Sequence, residues 1–239
     1  MFKQLIGIAA LALSFTAAAQ QPPTVVDLPT RPGITQRMLV ITPPEPNATV
    51  ILLAGGHGGL QIFQNGSFKW GEGNFLVRSR QLFADKGLMA VVVDAPSDRQ
   101  RAPFLNGFRQ TEEHAADLKA TIAWARATAK VPVWLVGTSR GTQSAAYAAT
   151  VLQGADAPDG VVLTATILAD DKQRPVPAMP LEHIKVPVLV VHHQQDGCAY
   201  CAYSEIPNLM AKLTHTPRSH LITATGGKSQ GDACAAFAH

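Results

Sequence analysis

The fold is decided by residues 133–141, which read VWLVGTSRG. An apolar run typical of a buried β-strand leads directly into a G-x-S-x-G pentapeptide, and a segment rich in Ala and Ser follows with helical character. A strand that turns this sharply into a helix leaves no space for side chains at the two glycine positions, and the serine is held in a strained conformation with its hydroxyl outward. We therefore predict that Ser139 is a nucleophile and that the helix directs its N-terminal amides at a developing negative charge.

Short apolar segments alternate with segments of helical periodicity along the rest of the chain. This alternation predicts parallel strands in a sheet that helices cover on both faces, with functional side chains in the loops at the carboxyl ends of the strands. A Pro-rich lead-in at 21–32 is expected to precede the first element. The predicted strands are 37–42, 49–54, 88–94, 131–136, 160–167, 186–191 and 220–225; the predicted helices are 75–86, 112–127 (with Thr111 as N-cap), 140–152 and 204–213.

The serine turn, a glycine-rich loop near the start and a late acid followed by a histidine together resemble the α/β-hydrolase family. This resemblance implies a mostly parallel sheet of about eight strands and a catalytic triad in the chain order Ser, Asp, His. The loop 55–59, which reads GGHGG after an early strand, would supply one amide of the oxyanion hole, from Gly56, His57 or Gly58, and Arg140 would supply the other. Two other interpretations of this loop are a simple flexible turn and a phosphate-binding loop, although the G-x-x-x-x-G-K-[ST] spacing of the latter is absent.

The acid of the triad is assigned by position along the sheet. Asp196 follows the penultimate predicted strand, where the resembling family places its acid. Asp170 and Asp171, after the preceding strand, are the second choice, and Asp94 is a weaker candidate. His239 follows the last predicted strand and is the expected base. It is also the final residue, so the helix that usually follows this histidine in the family is missing and the base could instead lie beyond it.

The three cysteines lie late in the chain, beside the expected acid and base. A disulfide between Cys198 and Cys234 would join these two loops, while a bond between Cys198 and Cys201 is the alternative. A redox role for the C-x-x-C spacing is a further possibility. A zinc site is not expected, because His192 and the adjacent histidine point to opposite faces of an extended segment.

Composition and the N-terminus narrow the class of protein further. The 239 residues carry 15% charged side chains and a net charge of +3 without clusters of Lys and Arg, so no nucleic-acid partner is expected. Residues 1–19 have the pattern of a signal peptide, which predicts a secreted or periplasmic protein with no membrane span after signal removal. The remaining residues, 20–239, are expected to form one domain.

These features predict a serine hydrolase that cleaves a small-molecule carboxylic ester without a cofactor or metal. A peptidase or other acyl hydrolase on the same fold, and a non-catalytic exported binding protein, are the alternatives. Family members often carry a lid between two late strands, but the segment 170–185 is short and Pro-rich, so we expect an open site with little or no lid.

Overall fold

The computed structural model describes residues 22–228 and 231–235. The predicted signal peptide at 1–19 and the expected base His239 lie outside the described residues.

The described residues form one eight-stranded sheet with the strand order β1-β2-β4-β3-β5-β6-β7-β8. The first two strands pair antiparallel with each other, and β2 pairs antiparallel with β4, whereas all later pairings are parallel. The carboxyl ends of β3 to β8 therefore meet at one edge. The strands are β1 Thr24–Arg31, β2 Ile34–Ile41, β3 Ala48–Leu53, β4 Leu88–Val93, β5 Val133–Thr138, β6 Gly160–Thr164, β7 Val188–His193 and β8 Ser219–Ala224.

Helices pack on both faces of this sheet, as predicted. One face is covered by α1 (Phe75–Arg78) and α2 (Arg80–Asp85), and the other by α3 (Glu112–Ala129), α4 (Gly141–Val151) and α5 (Ile206–Lys212). The larger core lies on the second face, where α4 packs with alanines against the strands. Small side chains on α4 let this helix approach the sheet closely, which sets where its N-terminus, and hence the serine turn, lies.

The Pro-rich lead-in is a correction to the sequence analysis, because its residues form the strand β1. This strand lies at the edge of the sheet, where Pro29 can be accommodated although it has no N–H to donate. Its end is anchored to α3, since Arg31 Nε donates to Asp117 at 2.8 Å. The pairing of β1 and the contact of Arg31 with Asp117 both join residues that are distant in the sequence, so local sequence patterns do not reveal them.

Two predicted helices are shorter than their periodicity suggested. The segment 75–86 divides at Ser79, whose hydroxyl donates to the Phe75 carbonyl. In the segment 204–213 the α-helix begins only at Ile206, after a 3₁₀ turn at Tyr203–Glu205. The strand predicted at 160–167 ends at Thr164, because Ala165 has a left-handed backbone (φ +41°). The N-cap at Thr111 is confirmed, since its side chain accepts the His114 N–H.

The segment between β6 and β7 forms no lid over the serine turn. It contains two 3₁₀ turns, Val176–Ala178 and Leu181–His183, whose buried side chains join the larger core instead. The open site expected from the sequence is thus confirmed. Among the described residues, no helix is long and apolar enough to cross a membrane.

A disulfide joins Cys198 to Cys234, 36 residues apart, as the sequence analysis favoured. It attaches the segment 231–235 to the loop after β7, the loop that also carries Asp196. Cys201 is a free, buried thiol that donates to the Ala165 carbonyl, and burial raises its pKa far above the usual range. A thiol that stays protonated is a poor nucleophile, which argues against a redox role for the C-x-x-C spacing.

We predict that removing this crosslink destabilises the fold. Replacing Cys234, which is exposed, by Ala should lower the free energy of unfolding by about 4 kcal/mol, the chain-entropy value for a loop of this length. Urea unfolding with and without reductant measures the effect. The wild type should lose the same amount in reductant and the variant should not respond; equal stability of the two proteins under oxidising conditions would contradict the prediction.

Candidate active site

Ser139 lies in a strained turn between β5 and α4. Its backbone is left-handed (φ +51°), and its N–H donates to the Thr164 carbonyl at 3.0 Å, which holds the turn against the neighbouring strand. A Cβ on residue 141 would overlap the Leu53 carbonyl oxygen, and one on residue 137 would lie 2.5 Å from the Gly141 carbonyl oxygen. Both glycines are therefore required, and the half-buried serine sits at the carboxyl edge of the sheet as the G-x-S-x-G pattern predicts.

The glycine-rich loop after β3 lies directly against this serine. A Cβ on Gly55 would lie 2.9 Å from the Ser139 Cβ, so the loop backbone touches the turn. The backbone N–H groups of Gly56, His57, Gly58 and Arg140 donate to no acceptor within residues 22–228 and 231–235. Unoccupied amides beside a nucleophile are what an oxyanion hole requires.

The far end of this loop is held by Asp94, which the sequence analysis considered as a weak catalytic candidate. Its buried carboxylate accepts the N–H groups of Leu60, Gln61 and Ile62, at 2.7–3.0 Å, and that of Ala95 at 2.7 Å. Burial raises the pKa of Asp94, and these four amides only partly offset the effect. With its oxygens occupied in this way, Asp94 fixes the loop and is not available to orient a histidine.

The side chain of Arg140 pairs with Asp170. The guanidinium Nη1 lies 2.6 Å from Asp170 Oδ2, and the Lys172 N–H donates to Oδ1 at 3.0 Å. Burial acts to raise the pKa of Asp170, but the Lys172 amide and the Arg140 guanidinium outweigh it, and the pKa falls below its usual value. This second-choice acid therefore has a structural partner in the described chain.

Asp196 lies in the loop after β7, where the sequence analysis placed it. Its side chain is only 1% exposed, and Oδ1 accepts the Cys198 N–H at 2.9 Å. Oδ2 lies 3.8 Å from His192 Nε2, but that nitrogen donates to the Cys201 carbonyl at 2.6 Å while Nδ1 accepts the Thr166 N–H. Both ring nitrogens of the buried His192 thus contact backbone groups, which gives this histidine a structural role.

A small, mostly apolar cavity of about 190 Å³ opens between Asp196 and the serine turn. It lies at the carboxyl ends of the last four strands and includes Thr138, the residue before the nucleophile. The acid and the turn therefore share one cleft. Its lining residues are Phe75, Thr138, Thr164, Ala165, Val191, His193, Asp196 and Ala224.

Five of the seven described histidines have side-chain partners other than the serine. His193 Nδ1 accepts the Gln195 N–H and Nε2 donates to the Gly226 carbonyl, while His215 contacts the Glu182 carbonyl. Within the described ranges, no histidine forms a hydrogen bond with Ser139 Oγ. The assignment of the base to His239 stays a prediction, as does the triad that depends on it.

His57 is held in an aromatic stack that the sequence analysis did not foresee. Its ring lies 4.0 Å from that of Trp70 and 4.4 Å from that of Phe104, and Nδ1 accepts the Gly59 N–H at 3.1 Å. Burial, and then the positive charge of Arg109, lower the pKa of His57. The lowered pKa favours a neutral imidazole, and the two aromatic rings hold it in place within the glycine-rich loop.

A buried polar network behind the glycine-rich loop was also missed. Arg109 donates to Ser144 Oγ at 2.9 Å, and His114 Nε2 lies 2.9 Å from the same hydroxyl. Burial, together with the charges of Arg109 and Arg31, lowers the pKa of His114 to about 3. These residues are far apart in sequence and carry no motif, so a search by spacing could not have found them.

Comparison with solved structures shows what this architecture resembles. The chain superposes on dienelactone hydrolase from Anabaena variabilis (16% identity, 85% of this chain and 86% of that one, TM-score 0.57) and on a thermophilic esterase from Thermogutta terrifontis (18%, 86% and 82%, 0.57). It also superposes on acylaminoacyl peptidase from Pyrococcus horikoshii (15%, TM-score 0.60), covering 89% of this chain but 38% of that one. No protein-family model and no curated protein matches the sequence.

The sheet order, the serine turn and these superpositions together define the class: the chain has the α/β-hydrolase fold. The fold expected from the sequence is therefore confirmed.

We predict that His114 makes the fold sensitive to acid. Its pKa is about 3 in the folded chain but about 6.5 when unfolded, so between these pH values only the unfolded chain binds the proton and stability falls as the pH falls. From pH 6.5 to 5 the wild type should lose about 1.5 kcal/mol more than His114→Gln in urea unfolding. The exposed His220→Gln is the matched control and should follow the wild type; parallel curves for all three would contradict the prediction.

Proposed function

We propose that this protein is an exported hydrolase of carboxylic esters that forms an acyl-enzyme at Ser139. The observation that carries the proposal is the left-handed Ser139 between two obligatory glycines, next to backbone amides that have no acceptor in the described residues. Such a turn is costly, since a non-glycine residue with this backbone is strained. It is typical of a serine whose hydroxyl must reach a substrate.

In the proposed reaction, Ser139 Oγ attacks the carbonyl carbon of the ester while His239 accepts the hydroxyl proton. The negative charge on the carbonyl oxygen is stabilised by the Arg140 amide and by an amide from Gly56, His57 or Gly58. The intermediate collapses, the C–O bond breaks, and His239 returns the proton to the departing alkoxide. Water then attacks the acyl-enzyme while His239 accepts its proton; the bond to Ser139 Oγ breaks, His239 returns the proton to that oxygen, and the acid is released.

Asp196 is the proposed orienting acid. Its near-complete burial and its hydrogen bond from the Cys198 N–H support the assignment, because a carboxylate held in one direction can fix one tautomer of a histidine. The disulfide attaches residues 231–235 to the same loop, which brings the chain that leads to His239 close to Asp196. The disulfide also supports export, since such bonds persist in oxidising compartments.

The size and lining of the cleft favour small esters over larger substrates such as peptides. A cavity of about 190 Å³ with mostly apolar walls fits a short acyl or alcohol group. The esterase among the compared structures supports this choice, while the acylaminoacyl peptidase makes peptide substrates the alternative that a test must include. Short-chain nitrophenyl esters and a nitroanilide are therefore suitable first substrates.

We expect Ser139→Ala to abolish turnover, because the nucleophile is lost. The rate constant for p-nitrophenyl acetate should fall by at least about 10⁴-fold, and labelling by a fluorophosphonate probe should disappear. Ser204→Ala changes an exposed serine outside the turn and is the matched control. It should keep both the hydrolysis of the ester and the labelling by the probe. A wild-type protein that neither hydrolyses the substrates nor takes up the probe would instead support a binding role and end the proposal.

We expect Asp196→Asn to lower kcat by about 10⁴-fold with little change in KM, since the wrong tautomer of the base would be stabilised. Asp171→Asn, at the exposed member of the second-choice pair of acids, should be near wild type. Steady-state kinetics with the same ester measures both. A kcat for Asp196→Asn within tenfold of the wild type would show that another group orients the base.

A further inference from the structure

Arg109 is a buried cation that contacts backbone carbonyls at the start of the glycine-rich loop. It lies just before α3, is 1% exposed, and donates from Nη2 to the carbonyls of Ala54 and Gly56 at 3.0 and 3.1 Å. Its other terminal nitrogen, Nη1, donates to Ser144 on α4. One guanidinium therefore ties the start of the loop to the helix that begins at the nucleophile.

The charge of this side chain has no carboxylate partner among the described residues. Burial, and then the positive charge of Arg140, lower the pKa of Arg109 to about 9, and its Nε has no hydrogen-bond acceptor in the described chain. An isolated buried charge is expensive, and protein cores usually avoid one. A cation at this position, despite the penalty, indicates a need for the hydrogen bonds it donates, which an apolar side chain could not make.

The two carbonyl contacts determine the direction of two amides. In a trans peptide the C=O of one residue and the N–H of the next point in opposite directions. By binding the Ala54 and Gly56 oxygens, Arg109 turns the N–H groups of Gly55 and His57 away from itself, and it fixes the 54–55 and 56–57 peptides. Those N–H groups belong to the backbone that touches Ser139.

The loop is also shaped to accept the guanidinium. A Cβ on Gly58 would lie 2.5 Å from Arg109 Nη2, so this position must lack a side chain for the contact to exist. Gly56 and Gly58 are both left-handed (φ +59° and +76°), a backbone conformation in which other residues would be strained.

We propose that Arg109 is a positioning residue for the oxyanion hole, holding the amide of His57 in one direction and adding positive potential behind the glycine-rich loop. The proposal rests on the proposed ester hydrolysis at Ser139. A fixed donor needs no reorganisation when the oxyanion forms, and a positive charge in a dry environment adds to its stabilisation. Because the oxyanion exists only in the transition state, the effect should lie in kcat and not in KM.

The test compares Arg109→Gln and Arg109→Lys with a matched control, Arg126→Gln. Arg126 also binds two loop carbonyls, those of Ala155 and Ala157, but on a loop remote from the serine. Active sites are counted by fluorophosphonate titration, so that kcat refers to folded protein, and kinetics are measured with p-nitrophenyl acetate. We expect kcat to fall at least 50-fold in Arg109→Gln and less in Arg109→Lys, with KM within threefold, while Arg126→Gln keeps the wild-type kcat.

A kcat for folded Arg109→Gln within twofold of the wild type would overturn the positioning role. If that variant does not fold, Arg109→Lys, which keeps the charge and the aliphatic stem, decides by the same twofold limit. Loss of stability with unchanged kcat per titrated site would show a purely structural arginine. In each of these cases the wild type still hydrolyses the ester and Ser139→Ala does not, so the proposed function stands; absence of wild-type turnover and labelling would remove both.

Discussion

The close crossing of backbone at the β5–α4 turn is the constraint on which the rest of the structure depends. There the helix start passes the end of β3 so closely that a single Cβ on Gly141 would collide with the Leu53 carbonyl. This approach brings the serine turn and the glycine-rich loop together, since they follow adjacent parallel strands. It also requires the alanine-rich face of α4, because a helix with larger side chains could not lie so near the sheet.

Two buried groups of opposite charge hold the loop that faces this turn. Asp94 accepts amides near the end of the loop, and Arg109 donates to carbonyls near its start, so that each charged group satisfies backbone groups of complementary polarity. A loop of glycines has high conformational entropy when free, and these two anchors supply the rigidity that the glycines lack. The price of that arrangement is the burial of two charges that do not contact each other.

Prediction from sequence succeeded where the signal is local. The G-x-S-x-G turn and the N-cap at Thr111 need only a few neighbouring residues, and Asp196 was placed in its loop by counting strands. The edge strand β1 was missed because its pairing is long-range and its Pro29 suggested a loop. The contacts of Arg109, Trp70 and Phe104 were missed for a related reason: they join segments 13 to 55 residues apart that only the folded chain brings together.

The aromatic rings around the site limit how it can be redesigned. The indole of Trp70 occupies the space that a side chain at position 56 would need, and the ring of Phe104 does the same for position 59. Each glycine and the ring next to it therefore share one space, to which two different segments of the chain contribute. A mutant library that aims to widen or reshape the entrance must vary positions 56 and 70, and positions 59 and 104, in concert, because a bulkier residue at either glycine demands a smaller one opposite.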